Sequence, residues 1–366
     1  MDADLPYMVG FSRFPGIGPA RFKLLYDYFG SAKTAWGASL SELLGIKLGN
    51  TLSRQFVEFR KTADVDGYLK TLETLHVVPL TIRDPKYPRL LREIPDAPFV
   101  LYVLGKKGNT PINLERTIAV VGTRRITAYG KEVTQHLVRG LVKNGITIVS
   151  GMAYGIDAAA HWSALEAGGK TIAVLGCGID IIAPAGNARL YQSIAGGGGA
   201  IVTEMPLGHR PLKGLFPARN RIISGLSLGT LVVEGASDSG ALITARNAAE
   251  QGREVFAVPG PITSVYSKAS AGLIKNGATL VESAEDILSA VGLAHTGRTE
   301  AVKTPVRGSS EEEQKILDLL VSGRLPIDDI VRGSGLTAGK VAAILTVLEI
   351  RGSVRDYGEK LYGLCN

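Results

Sequence analysis

Residues 213–221 have the sequence Lys-Gly-Leu-Phe-Pro-Ala-Arg-Asn-Arg, in which cationic and amide side chains lie close to one aromatic ring. Basic groups bind phosphates, and an exposed ring stacks on nucleobases without reading their identity. Because proline disfavours helix, Pro217 predicts a loop here, followed by a helix that begins near Ile222. A buried Phe216 with solvent-facing arginines is the alternative. The pattern favours contact with a nucleic acid through Lys213, Phe216, Arg219, Asn220 and Arg221.

Two glycine-containing turns could bind anions. Gly122, Thr123 and Arg124 follow an apolar run and lead into a helix, and Gly151 begins a similar turn after the next apolar run. Backbone N–H groups at a turn or at a helix N-terminus stabilise a bound phosphate, and the planar guanidinium of Arg124 matches phosphate oxygens. Because the two turns follow consecutive strands, we predict that these four residues form one crevice.

The elements that must position these residues are those of a parallel sheet. Six continuous apolar runs alternate with helical segments, which is typical of an α/β fold with helices on both faces of the sheet. Ligands of such sheets bind outside the carboxyl ends of the strands. We predict that this domain spans residues 81–292. The predicted strands are residues 117–121, 147–149, 171–175, 200–202, 230–233 and 254–258.

A helical domain is predicted before the sheet. Residues 1–80 contain leucine and phenylalanine residues at helical spacing. The Pro-Gly-Ile-Gly-Pro segment at residues 15–19 lies between two helical stretches and has the pattern of a helix-hairpin-helix DNA-binding motif. An ordinary connection between two helices is the alternative.

A separate C-terminal domain is predicted after a linker. Residues 293–308 are polar and aperiodic, which is typical of a linker. Residues 309–366 predict three helices followed by a hairpin, which together describe a winged helix. Ser310 and Glu313 form a plausible capping box for the first helix, and Thr337 is placed to cap the third.

Composition and charge restrict the class of protein. The chain has 366 residues, with 41 Lys and Arg, 34 Asp and Glu, and a net charge of +7. Residues 81–299 carry 23 basic and 16 acidic side chains, so the excess lies in the sheet domain and suggests a polyanionic partner. Two cysteines cannot build a disulfide framework or a four-ligand zinc site, and we predict no bound metal. An acidic N-terminus without a long apolar run argues against secretion and membrane insertion, so we expect a cytoplasmic protein.

The motifs together resemble those of the DprA/Smf family, the bacterial DNA processing proteins of natural transformation. The blocks that match in order and spacing are residues 121–124, 150–157 with His161, 216–226 and 253–260. The resemblance covers essentially the whole chain. It implies a Rossmann-like domain, an N-terminal helical domain of the helix-hairpin-helix or SAM-like type, and a C-terminal winged helix.

The resemblance also implies a function. Members of the family bind single-stranded DNA in a pocket of the Rossmann-like domain, form homodimers and load the recombinase RecA. No cofactor is implied. The binding role is carried over to Arg124, Lys213 and Phe216, with Arg219 and Asn220 nearby.

The chain departs from the family pattern at two places. Ala183-Pro184 stands where the family usually has Tyr-Pro. Residues 269–272, Ala-Ser-Ala-Gly, replace a Gly-Thr-Asn-like stretch close to the region that the family uses for self-association.

Two enzyme classes are the rival interpretations. The Gly-Cys-Gly at residues 176–178 suggests an NAD(P)-dependent enzyme, but Ile181 replaces the third glycine of that fingerprint. A nucleotide N-glycosidase would carry a Pro-Gly-Gly-x-Gly-Thr loop, where residues 239–244 are Ser-Gly-Ala-Leu-Ile-Thr. Asp157 and His161 fit capping and packing better than catalysis. We therefore expect a non-enzymatic protein that binds single-stranded DNA.

Overall fold

The computed structural model describes residues 3–46, 48–105, 115–212, 214–293, 308–321, 323–358 and 360–364, except for the side chain of Phe216. The chain divides between residues 294 and 295 into two compact units. The first unit contains the N-terminal helices and a large sheet, and the second contains three helices with a small sheet. Each unit has its own buried apolar core.

A nine-stranded sheet forms the centre of the described part of the first unit. Its strands are β1 Val77–Thr81, β2 Val100–Gly105, β3 Thr117–Val121, β4 Thr147–Ser150, β5 Thr171–Val174, β6 Gly199–Thr203, β7 Gly229–Val232, β8 Glu254–Ala257 and β9 Thr279–Leu280. Their order is β1-β2-β6-β5-β4-β3-β7-β8-β9. The strands from β6 to β9 in this order pair in parallel, and β2 pairs antiparallel with β1 and β6. All six predicted strands are confirmed.

Helices cover both faces of this sheet. In the N-terminal part they are α1 Leu5–Ser12, α2 Pro19–Phe29, α3 Ala32–Gly37, α4 Leu40–Gly45, α5 Asn50–Thr62 and α6 Val65–Thr74. The others are α7 Arg89–Arg92, α8 Ala128–Lys143, α9 Ile156–Glu166, α10 Ala188–Ser193, α11 Leu215–Gly225, α12 Ala241–Glu250, α13 Lys268–Lys275 and α14 Ala284–Ala290. Ile118 and Val120 of β3 pack in the core that contains α8 and α9, whereas Ala119 and Val121 pack with α11 and α12. The alternation of side chains along a strand thus buries β3 on both faces.

The predicted loop before Ile222 is wrong, because α11 begins at Leu215. Pro217 occupies the third position of this helix, where the backbone N–H of an ordinary residue would have no partner within the helix. A proline there removes no helical hydrogen bond. Arg219, Asn220 and Arg221, which were predicted to bind nucleic acid at the end of a loop, therefore lie on a helix, and its periodicity fixes the directions of their side chains.

The N-terminal helices share a hydrophobic core with the sheet. The rings of Phe22 and Phe99 stack with their centres 4.0 Å apart, and the hydroxyl groups of Ser12 and Tyr102 lie 2.6 Å apart. The predicted boundary at residue 80 lies at β1, and the compact unit that ends at Ala294 contains both the helical segment and the sheet. The glycine-containing connection between α1 and α2 is present, with Gly16 at φ +98°.

The second unit is the predicted winged helix. Its elements are α15 Glu311–Leu320, β10 Leu325–Pro326, α16 Ile327–Ser334, α17 Ala338–Ile350, β11 Val354–Asp356 and β12 Leu361–Leu364, with the strands in the order β10-β12-β11. Ser310 caps α15 by accepting the Glu313 N–H at 3.2 Å, but the Glu313 carboxylate accepts the N–H of Ser309 instead of completing a capping box. Thr337 stands at the start of α17 without a capping hydrogen bond from its side chain.

Within the described residues, no single helix has both the length and the apolar character needed to cross a membrane. The pair α16 and α17 meets those two criteria only when taken together, and the pair is bent by 111°.

Candidate functional site

A pocket opens at the carboxyl edge of the sheet, where the chain reverses its direction across the sheet. From β3 the chain proceeds to β4 on one side, and from β7 it proceeds to β8 on the other, so the loops after β3 and β7 diverge. The pocket between them has a volume of about 760 Å³. It is lined by the turn after β3, the start of α9, the first turns of α11, the loop that leads into α12, and residues 265–266. Open α/β sheets bind their ligands at this position.

Arg219 forms the polar floor of the pocket. The residue is 6% exposed, and its Nη1 donates to the carbonyl of Gly151 at 2.5 Å and to the carbonyl of Val174. Because these carbonyls lie at the carboxyl ends of β4 and β5, the guanidinium joins two adjacent strands. Burial lowers the pKa of Arg219, and the nearby Asp157 carboxylate opposes this effect. Arg219 therefore lines the pocket from a buried position, and its predicted contact with DNA stays a prediction.

The turn at Gly151 already binds an anion from the chain itself. Oδ2 of Asp157 accepts the N–H of Gly151 at 3.1 Å and the N–H of Ala153 at 3.3 Å. Burial raises the pKa of this carboxyl, while Arg219 and the two N–H groups lower it. These two amides are therefore engaged within the chain, and the predicted contact of Gly151 with DNA stays a prediction. A Cβ at residue 151 would also lie 2.6 Å from the guanidinium of Arg219.

A second carboxylate occupies the turn after β3. The N–H of Thr123 donates to the backbone carbonyl of Glu234 at 2.7 Å. The Glu234 carboxylate, which is buried, accepts the N–H of Thr127 at 3.2 Å and its hydroxyl at 2.6 Å, at the N-terminus of α8. This helix terminus is therefore neutralised internally. Gly122 and Thr123 both line the pocket, and the N–H of Thr123 is engaged by Glu234 and so is not free to bind a phosphate.

Exposed polar side chains remain at the rim of the pocket. Arg124 and Arg125 are both exposed and line it, as does the half-buried Asn220. Nδ2 of Asn220 donates to the carbonyl of Gly240 at 3.3 Å, which joins α11 to the loop before α12. Arg124 lies close enough to lower the pKa of Arg219 further. Two positive charges therefore face one cavity, and a bound anion would reduce their repulsion.

The structure places Arg221 outside the pocket. Its guanidinium forms salt bridges with Glu204 at 2.7 Å and with Asp96 at 2.9 Å. Because residues two positions apart point to different sides of a helix, Arg219 and Arg221 cannot both face the pocket. A contact between Arg221 and DNA would have to lie outside the pocket, and it stays a prediction. Lys213 and the side chain of Phe216 lie outside the described residues, and their roles stay predictions.

Other reactive side chains near the site are buried. Nδ1 of His161 lies 2.6 Å from the hydroxyl of Thr171, and burial together with the charge of Arg219 lowers the pKa of His161 to about 3. Burial raises the pKa of Cys177 to about 11. The N–H of Gly178 in the Gly-Cys-Gly turn donates to the carbonyl of His209 at 2.8 Å, so it is not available to a dinucleotide. No group of three His, Cys, Asp or Glu within the described ranges could hold a metal ion.

Comparison with known proteins identifies the relationship. The family model described as DNA recombination-mediator protein A matches residues 79–292, and the DprA winged helix domain matches residues 300–358. The chain belongs to the DprA/Smf family. This confirms the resemblance inferred from the motifs, and it gives the chain the general role of a DNA recombination mediator.

Several DprA and Smf proteins are similar over most of the chain. Protein Smf of Synechocystis is 36% identical over 96% of this chain and 97% of its own length. DNA processing protein DprA of Streptococcus pneumoniae is 46% identical over 57% of this chain and 72% of its own. The X-ray structure of S. pneumoniae DprA superposes with a TM-score of 0.68 at 37% identity, covering 78% of this chain and 97% of that one. A DprA structure from Helicobacter pylori that describes a single-stranded DNA binding mode gives a TM-score of 0.51 at 31% identity, covering 59% and 95%.

Proposed function

We propose that this chain binds single-stranded DNA in the pocket at the carboxyl edge of the sheet. The observation that carries the proposal is that Arg124 at the rim and Arg219 at the floor face the same open cavity. A phosphate group between them would relieve the repulsion of the two charges. The similarity to a DprA from H. pylori that binds single-stranded DNA supports this choice of anion.

The lining of the pocket favours a single strand over a duplex. Apolar groups of Val121, Ile223 and Ala241 line it beside the arginines. Unstacked bases can contact such a surface while the phosphates remain near the cations. The bases of a duplex are stacked on one another and cannot enter a concave pocket, so duplex DNA should bind weakly.

The protein acts on the strand by binding and not by catalysis. Asp157 is held by two N–H groups and by the charge of Arg219, so it is poorly placed to take a proton from a substrate. His161 is fully buried with a strongly lowered pKa, so it is neutral near pH 7 and out of reach of a ligand. Neither residue combines access with the pKa that general acid–base catalysis requires.

As a mediator, the protein delivers the bound strand to RecA and works as a homodimer, as the family resemblance implies. The departure from the family pattern at residues 269–272 does not argue against self-association. Ala269 and Ser270 are buried against their own chain, and Ser270 donates to the carbonyl of Val233 at 3.2 Å. The substitutions at these two positions therefore change the interior more than the surface. Light scattering, which gives the molar mass in solution, tests the homodimer. The rate of RecA assembly on a strand already coated with this protein tests the delivery to RecA.

The salt dependence of strand binding tests the proposed site. If the site neutralises about three or four phosphates, the log–log slope of affinity against salt should lie near −2 to −3. Arg124→Ala should weaken binding to every sequence and make the slope shallower by about 0.7, the contribution of one phosphate contact. The measurement is a fluorescence-anisotropy titration of labelled oligothymidylate at several salt concentrations.

The matched control is Lys33→Ala, which removes an exposed cation from α3 in the N-terminal part. It should leave both affinity and slope unchanged. Binding of the wild-type chain that ignores salt, or a duplex that competes as well as a single strand, would contradict the proposed function.

A further inference from the structure

A second groove lies on the surface formed by α8, α9 and α10. Its volume is about 380 Å³, half that of the pocket, and none of its lining residues lines the pocket. The side chains that define it are Lys131 and Gln135 from α8, Trp162 and Glu166 from α9, and Arg189 from α10. We call it the Trp162 groove.

The Trp162 groove combines an aromatic ring with uncompensated positive charge. Cζ of Arg189 lies 6.0 Å from the centre of the Trp162 ring. Among the salt bridges formed by described residues, none involves Lys131 or Arg189. The groove's carboxylate, Glu166, lies 3.9 Å from Arg139, so its charge is offset from outside the groove. A half-buried ring next to cations is the arrangement with which proteins stack a base and hold its phosphate.

The Trp162 groove lies close to the rim of the pocket. Both of its main helices begin there: α9 starts beside Asp157, and α8 follows the turn that contains Arg124. Lys131 lies in the first turn of α8, and Trp162 lies five residues beyond Asp157, which corresponds to about 7.5 Å along a helix. The turn before α9 and the turn after β3 are in contact, since a Cβ at Gly155 would lie 2.2 Å from the carbonyl oxygen of Thr123.

We propose that the Trp162 groove binds nucleotides of the same single strand after it leaves the pocket. A base stacks on Trp162, and the adjoining phosphates lie near Lys131 and Arg189. This inference rests on the proposed function, because it requires a strand in the pocket. The inference predicts that the protein binds more nucleotides than the pocket alone could hold. The Trp162 groove should contribute to affinity only when the strand is long enough to reach it.

Strand length separates the two sites in an experiment. A short oligothymidylate of about 4 nucleotides occupies the pocket, and one of about 16 nucleotides also reaches the groove. Trp162→Ala should lower the affinity for the long strand about fivefold or more and leave the affinity for the short strand unchanged. Trp162→Phe, which retains a ring, should recover part of the loss. Lys131→Gln should make the salt slope shallower by about 0.7 with the long strand only.

The control for charge on the same helix is Lys143→Gln. Lys143 is exposed in the last turn of α8, about 18 Å along the helix from Lys131, and its removal should change neither strand's affinity.

If Trp162→Ala leaves the affinity for the long strand unchanged while the wild type binds both strands, the Trp162 groove does not bind the strand. The proposed function of the pocket is unaffected by that result. Equal losses for both strands, accompanied by a lower melting temperature, would make Trp162 a packing residue and also overturn the assignment. Failure of the wild type to bind either strand would instead refute the proposed function of the pocket.

Discussion

At the scale of single residues, Arg219 decides how the pocket is built. Its guanidinium binds two carbonyls at neighbouring strand ends and lies near Asp157, so one side chain fixes the positions of β4, β5 and the start of α9. Its Nε has no hydrogen-bond partner among the described residues. A buried cation with these contacts costs more to remove than a surface arginine.

Replacing Arg219 should therefore affect folding before it affects charge. We expect Arg219→Ala to lower the free energy of unfolding by about 3 kcal/mol or more, because two buried carbonyls lose a charged donor. Arg246→Ala, which removes an exposed arginine of α12, should change it by about 0.5 kcal/mol or less. Denaturant unfolding of both variants gives the comparison. A fully stable Arg219→Ala would contradict this structural role, whatever its effect on the salt slope.

His161 should make the stability of the protein depend on pH. Its pKa is about 3 in the folded chain and near 6.5 when solvated, so the unfolded state takes up a proton first as the pH falls. The stabilising contribution is complete above pH 6.5 and is lost as the pH falls from there towards 3. At pH 5 the loss should be about 2 kcal/mol.

Thermal melts at pH 7 and pH 5 measure this loss. Removing the imidazole in His161→Gln should reduce the difference between the two pH values, whereas His136→Gln, at an exposed position of α8, should not change it. The raised pKa of Asp157 acts in the opposite direction in acid, since its folded form binds a proton more readily, and both variants retain this effect. An identical pH dependence in wild type and His161→Gln would refute the assignment.

At the scale of elements, the sequence predicts buried parallel strands well and helix starts near proline poorly. Continuous apolar runs identify β3 to β7 because these strands are largely buried on both faces. β1 contains Pro79, which an edge strand tolerates, and β9 has two exposed residues, so neither has that pattern. The sequence also does not predict which groups accept the N–H groups of the turns. Asp157 and Glu234 accept them in the folded chain, where the fold brings the carboxylates to the turns.

Glu234 shows which signal was available. It directly follows the apolar run of β7, and a buried carboxylate requires hydrogen-bond partners, so this position could have indicated a contact with backbone N–H groups. The partner, Thr127, is more than a hundred residues away in the chain and cannot be inferred from local spacing. The same holds for Arg219, whose contacts come from two different strand ends.

Replacing Phe216 in the first turn of α11 should show whether its ring stacks on bases or packs in the core. If Phe216 stacks on bases, Phe216→Ala should weaken strand binding by about 1–3 kcal/mol per base with little change in salt slope. If it is a core residue, the same change should cost about 3–5 kcal/mol of stability. A thermal melt beside a strand titration distinguishes the two, and a large drop in melting temperature would remove the stacking role.

At the scale of the whole molecule, the two compact units differ in charge and in the surfaces that they offer. The sheet domain carries the excess of basic residues, whereas residues 300–366 have 9 basic and 10 acidic side chains. In α17, the helix that a DNA-reading winged helix would insert, the exposed residues of the first two turns are Ala338, Gly339, Lys340, Ala342 and Ala343. Of these, the cation Lys340 forms a salt bridge with Glu312 at 2.5 Å.

The winged helix should therefore contribute little to strand binding. A helix that contacts DNA normally brings Arg or Lys side chains to phosphates and base edges, and α17 presents small apolar ones. We expect truncation after Gly292 to leave the affinity for single-stranded DNA within about threefold, since it removes no net positive charge. The first unit has its own cores, so it should remain folded, which a thermal melt checks. A larger loss of affinity in a folded truncated chain, with a shallower salt slope, would show that the winged helix binds the strand as well.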